Sequence, residues 1–82
     1  MLEVTLLTPS RVVYEGEAGR VIVPGEKGIF EICPFHKPIV SRLLPGRVVV
    51  DRKIFRIKHG IVQVNRNRVG LIVQLERETQ RS

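Results

Sequence analysis

Apolar and polar residues alternate with a period of two along most of this chain. In Leu2–Leu7 the residues Leu2, Val4 and Leu6 share one side, as expected where successive side chains point to opposite faces of a strand. Thr8-Pro9-Ser10 interrupts the pattern, and Arg11–Glu15 resumes it with Val12 and Tyr14 opposite to Val13. Gly16 and Gly19 then flank a short turn into Arg20–Val23. In Ile29–Cys33 the alternation puts Phe30 and Ile32 inward, and Ile29, Glu31 and Cys33 outward. Ile39–Leu44 forms the next run, and Arg47–Asp51 and Ile54–Lys58 make a hairpin across Asp51-Arg52-Lys53. Gly60 marks a turn or bulge before Ile61–Asn65. Asn65-Arg66-Asn67 reads as a turn, because asparagine accepts the left-handed conformation. Arg68–Leu75 closes the series with Val69, Leu71, Val73 and Leu75 on one face, and residues 76–82 form a polar tail expected to fray. No window sustains the i, i+3, i+4, i+7 spacing of a helix.

The expected fold is therefore all-β: a small antiparallel β-sandwich or flattened barrel of about nine to ten short strands over residues 1–75, with no substantial helix. Several runs are apolar on both sides, notably Val48-Val49-Val50 and Val21-Ile22-Val23. A domain of 82 residues has little room to cover both faces of every strand, so part of that apolar surface is expected to meet a partner.

The punctuation of the chain is concentrated in Val21–Gly46, which holds four of the five prolines and three of the seven glycines. Pro24-Gly25 and Pro45-Gly46 are turn signals, since proline presets φ and glycine tolerates positive φ. Pro34 and Pro38 bracket a stiff loop carrying Phe35, His36 and Lys37. A loop this rigid between strands this apolar presents its side chains to something.

Composition narrows the field. A hydrophobic content of 43% supports a single core, in a chain short enough to bury only about three-fifths of its unfolded surface. The lone Cys33 rules out an internal disulfide, so a reducing compartment is the default. No run approaches the length of a membrane span, and Met1-Leu2-Glu3 does not open a signal peptide. The net charge is +6, unevenly placed: residues 1–41 carry four Lys/Arg against five Asp/Glu, and residues 42–82 carry ten against three. Such asymmetry admits two readings: solvated strand faces blunted against aggregation, or an acidic or nucleic-acid partner.

Candidate chemistry is sparse. Cys33-x-x-His36 has metal-ligand spacing, yet only His59 and scattered carboxylates could complete a four-ligand site. A Cys–His nucleophile has no orienting residue nearby in sequence. Cys33 is better read as a small buried or half-buried side chain, and His36 as a loop residue bonded to local backbone or touching a partner. The glycines lack the strand–loop–helix setting of a phosphate loop. No cofactor, metal or catalytic residue is expected.

Pro24-Gly25-x-x-Gly28, Phe30, Ile32, Pro34-x-His36-x-Pro38-Ile39, Leu43 and Pro45-Gly46 together resemble, without a gap, the amino-terminal β-sandwich of the epsilon subunit of F-type ATP synthases. Leu7-Thr8-Pro9 with Val12–Glu17, and downstream Phe55, Gly60, Val64, Asn67 and Val69, extend the likeness over Leu2–Leu75. Glu31 and Phe35 depart from it, standing where the family commonly has glycine. The helical pair that usually follows this domain in the family has no counterpart here, so its inhibitory and nucleotide-binding roles are not expected.

The resemblance implies a non-catalytic rotor-stalk protein. It would join the gamma subunit and the membrane c-ring within a hetero-oligomeric complex, coupling proton flow to ATP synthesis. It would sit peripherally on the cytoplasmic face of a bacterial inner membrane and be soluble when isolated. Ile29, Glu31, Phe35, His36, Ser41 and Arg42 are the expected partner-binding residues. The alternative is a small basic β-barrel that binds nucleic acid through Arg52, Lys53, Arg56, Lys58, Arg66 and Arg68. Against it, single-strand binders stack bases on exposed aromatics, and this chain has only Tyr14, Phe30, Phe35 and Phe55, of which Phe30 and Phe55 fall on expected inward faces.

Overall fold

A computed structural model of the 82-residue chain describes residues 1–76. Its eight strands are β1 (Leu2–Leu7), β2 (Val12–Ala18), β3 (Val21–Gly25), β4 (Gly28–Ile32), β5 (Ile39–Leu43), β6 (Gly46–Val50), β7 (Lys53–Asn65) and β8 (Arg68–Leu75). Among the described residues no helix is long and apolar enough to cross a membrane. Of the expected tail, all but Glu76 lies outside the described residues; the Glu76 N–H donates to the Arg56 carbonyl at 2.9 Å.

The strands form one continuous sheet in the order β2-β1-β8-β7-β5-β3-β4, with β6 pairing β3 and β7. The 13-residue β7 spans the whole arrangement. β8 follows one of its edges, while β5 and β6 lie end to end along the other, opposite residues 60–64 and 53–57. β3 joins both, pairing β6 through Val21 and Ile22 and β5 through Gly25, and carries β4 on its outer edge. The sheet folds over on itself, so that Tyr14 of β2 meets Phe55 near the start of β7 edge to face, ring centroids 6.3 Å apart.

One face of this folded sheet is the core. Leu2, Val4 and Leu6 of β1 pack there with Val69, Leu71 and Val73 of β8, Val62 and Val64 of β7, Val48 and Val50 of β6, and Val21 and Val23 of β3. Each fully buried aliphatic side chain of this size contributes about 1.5–3 kcal/mol. Valine dominates because a β-branched side chain suits a pleated, half-buried surface. Phe30 and Phe55, expected inward, are half-buried and pack against the core from its margin.

The expectations fail at four places. The strands number eight because Ile54–Lys58 and Ile61–Asn65 are one strand. Of the turn or bulge expected at Gly60, the structure has a bulge, two residues earlier: Lys58 is an extra residue between the pairs Ile57↔Leu75 and His59↔Gln74, and it reverses the phase of alternation. A second irregularity sets Leu7 opposite Val12 and Leu6 opposite Tyr14. Val12 and Tyr14 therefore face opposite sides, Val12 exposed and Tyr14 against the core. β2 runs on through Gly16 to Ala18, leaving only Gly19-Arg20 as the turn. Finally, β1 pairs β8 in parallel, Glu3↔Arg68 to Leu7↔Ile72, so the sheet is not wholly antiparallel. Alternation marks a strand's faces but not its neighbour's direction.

Candidate partner-binding surfaces

The Pro34–Pro38 loop owes its shape to one turn. The His36 N–H donates to the Cys33 carbonyl at 3.1 Å, with Pro34 and Phe35 between them and Phe35 at φ 68. That is a type II turn with phenylalanine where glycine is favoured. The Phe35 N–H donates to Asn67 Oδ1 at 2.7 Å. Asn67 itself sits in the two-residue β7–β8 connection, with Arg66 at φ 51 and Asn67 at φ 62, a type I′ arrangement matched to strand twist. Its carbonyl accepts the Glu3 N–H at 2.8 Å. The loop is thus fastened to a hairpin tip and through it to β1, while the Phe35 side is 90% exposed.

The six expected site residues fall into three local groups. Ile29, 77% exposed, and Glu31 share the outward side of β4. Phe35 and His36 occupy the turn. His36 is half-buried, its Nδ1 sits 2.8 Å from the Lys37 carbonyl, and its ring lies 6.5 Å from that of Phe30. On β5, Arg42 is exposed and meets Glu26 at 3.9 Å. Ser41 is half-buried on the side of Ile39 and Leu43, and its Oγ donates to the Arg42 carbonyl at 3.0 Å.

Cys33 is exposed, correcting the buried or half-buried expectation. It ends the outward series of Ile29 and Glu31, one residue beyond β4. Local desolvation, and then the Glu31 carboxylate that accepts its S–H at 3.5 Å, push its thiol pKa up. A raised pKa lowers the thiolate fraction, and the thiol is bonded to Glu31 while His36 Nδ1 is set against the Lys37 carbonyl. Among the described residues no three of His, Cys, Asp and Glu gather as a metal site.

A further surface was hidden by the bulge at β2. Val12 pairs Leu7, Leu7 pairs Ile72, Ile72 pairs Ile61 and Ile61 pairs Arg42. These outward residues make one row across five strands, and Val12, Ile61 and Ile72 are exposed. The adjoining row, Glu15, Thr5, Gly70, Gln63 and Val40, carries a single charge, at Glu15 on the edge strand β2. Glu3, joined to Arg68 at 3.4 Å, and Arg42 border it. The signal was present in sequence: Ile61 and Ile72 occupy the polar phase of strands whose other phase is already apolar. The aromatic residues do not form a stacking platform, since Tyr14, Phe30 and Phe55 are half-buried and Phe35 alone is exposed.

Residues 1–75 match the family described as ATP synthase, Delta/Epsilon chain, beta-sandwich domain. The ATP synthase epsilon chain of Leptospira interrogans is 31% identical over 75 residues, covering 87% of this chain and 59% of that one. The epsilon chain of Rickettsia typhi is 26% identical over 80 residues, covering 89% and 73%. This chain thus spans about three-fifths of the length of its Leptospira relative. In fold it is similar to a chain of the Tetrahymena thermophila mitochondrial ATP synthase central stalk and c-ring, with TM-score 0.77, 21% identity, and 89% and 63% of the two chains covered. A chain of the Euglena gracilis mitochondrial ATP synthase gives TM-score 0.81 at 17% identity, covering 96% and 56%. By a match that runs through every strand of the sheet, this chain belongs to the family of ATP synthase delta/epsilon-chain β-sandwich domains.

Proposed function

We propose that this chain is a non-catalytic rotor-stalk component of an F-type ATP synthase, which joins the gamma subunit to the c-ring and helps torque from proton flow reach the catalytic head. The observation that carries the reading is the largely apolar face through Val12, Leu7, Ile72 and Ile61 in a domain of this family. An exposed apolar field bordered by charges of both signs suits a protein interface, and we assign it to gamma. The Phe35–His36 turn, with Ile29 and Glu31, is assigned to the polar loops of the ring. There a rigid, exposed aromatic can anchor at low entropic cost. In this reading the domain performs no chemistry, and it lies peripherally on the cytoplasmic side of a bacterial inner membrane as part of the complex.

The test is reconstitution with the gamma subunit and c-ring of a bacterial ATP synthase. Ile61→Glu with Ile72→Lys, an opposite-charge pair across the two strands, is expected to abolish co-purification with gamma while the melting temperature stays within a few degrees of wild type. Phe35→Gly is expected to keep gamma binding but lower ATP-driven proton pumping in vesicles. Normal gamma binding by the double variant would overturn the assignment of the face. Normal pumping by Phe35→Gly would overturn that of the turn.

A further inference from the structure

The opposite outer surface, formed by β3, β6 and the first half of β7, holds a groove of about 730 Å³. Ile22, Pro24, Ile29, Leu44, Pro45 and Val49 supply its apolar lining. Its floor continues as a row, Glu31–Ile22–Val49–Ile54, directly paired across four strands. On its rim Arg47 and Arg56 stand opposite each other across β6 and β7. Like charges directly opposite on a sheet face are unfavourable, and neither arginine takes part in an ion pair among the described residues. Arg20 meets Glu31 at 3.6 Å, Arg42 meets Glu26, and Arg68 meets Glu3, whereas Arg52 and Arg66 also take part in no ion pair among the described residues; what sets Arg47 and Arg56 apart is that they face each other. Glu26 and Glu76 also line the groove; Glu26 is engaged by Arg42, and neither carboxylate pairs with Arg47 or Arg56.

We infer that this groove docks an acidic amphipathic segment of a partner polypeptide, whose apolar side chains cover Ile22 and Val49 and whose carboxylates lie between Arg47 and Arg56. An anion there removes the cross-strand repulsion and gains two charge-assisted hydrogen bonds. Other occupants fit less well. Residues 77–82, Arg-Glu-Thr-Gln-Arg-Ser, carry no apolar side chain to fill the groove. A second copy would bring a chain of net charge +6 against another of +6. A nucleic acid would supply phosphate but leave the aliphatic floor uncovered, with no aromatic ring in the lining.

The probe is a synthetic amphipathic helical peptide of about four turns, with leucine at i, i+3, i+4 and i+7 and glutamate flanking the stripe. A matched peptide carries lysine for glutamate. Titrated into the ¹⁵N-labelled 82-residue chain, the acidic peptide is expected to shift the amides of Ile22, Val49 and Arg56 saturably, and the lysine peptide is not. Arg47→Glu with Arg56→Glu is expected to weaken the acidic peptide by about tenfold or more, a change of about 1.4 kcal/mol or greater, and to admit the lysine peptide. Both arginines are exposed, so an unchanged melting temperature separates lost binding from lost fold. Four results would overturn the inference: equal binding of the two peptides, no saturable shift, shifts centred on Ile61 and Ile72, or a mass that doubles with concentration. Ile29 and Glu31 border both this groove and the turn assigned to the ring, but neither is changed in any of these variants and no result depends on gamma or the ring, so this test and that of the rotor-stalk reading fail independently.

Discussion

Gly60 is fixed by its neighbours rather than by its own backbone. A Cβ built there would lie 2.7 Å from the Ile72 carbonyl oxygen and 2.7 Å from Val73 Cγ1. Because β8's backbone cannot yield as a side-chain tip can, Gly60→Ala should cost about 1–3 kcal/mol through overpacking. Gly70, also in a strand, has nothing within 4 Å of the same position. Gly70→Ala should be neutral or stabilising by up to about 1 kcal/mol, since alanine loses less backbone entropy on folding. In a domain of this size each kilocalorie moves the melting temperature by about 4–8 °C. Thermal melts of the two variants should thus move apart, and equal melting points would refute the close approach. In sequence Gly60 reads as a turn or bulge between strands and Gly70 as a position within one, and neither reading measures the space beside a Cβ. The distinction arises from which face each glycine occupies, and the bulge at Lys58 sets that for Gly60.

Connections between strands show a similar division. The Arg66-Asn67 turn was legible because asparagine tolerates positive φ wherever it stands. What Asn67 does for Phe35, thirty-two positions away, was not, since a side chain reaching another loop leaves no local pattern. Asp51 is the parallel case. It was expected as part of a hairpin, and it occupies φ 54 there. It also accepts the N–H groups of Gly19 at 2.9 Å and Arg20 at 3.2 Å, while its own N–H donates to the Arg20 carbonyl at 3.2 Å. One carboxylate thereby ties the β2–β3 turn to the β6–β7 turn. Asp51→Ala should destabilise the domain by about 1–2 kcal/mol, the worth of a capping acceptor lost at a strained residue. Asp51→Asn, which keeps the acceptor and suits positive φ, should recover most of it. Denaturant unfolding of the three proteins checks this, and an Asn variant as weak as the Ala variant would show that the charge, not the bond, matters. The exposure of the residues proposed to meet partners was readable in the same measure. Ile29, Glu31 and Phe35 lie outward as alternation and loop position required, whereas Val12 was displaced by a bulge and Ser41 turned to the half-buried side.

At the scale of the whole molecule, the parallel pairing of β1 with β8 joins the beginning of the described chain to its end. Glu3 lies beside Arg68, sixty-five positions on, and the other edge of β1 carries β2. β2 is anchored to the rest largely through that strand. Contacts this distant in sequence must bear the entropy of closing a long loop before they return any energy, and folds dominated by them take about milliseconds to seconds to form. Stopped-flow refolding should therefore give one slow phase in that range, and a microsecond phase of full amplitude would contradict it. During synthesis the consequence is sharper. The opening hairpin leaves the ribosome with one edge of β1 unpaired and waits for nearly the entire remainder of the chain. At about 5–20 residues per second that wait lasts several seconds. Over that interval Leu2, Val4 and Leu6 form an open seam. Its safety rests on how soon the last strand arrives rather than on any contact made within the first.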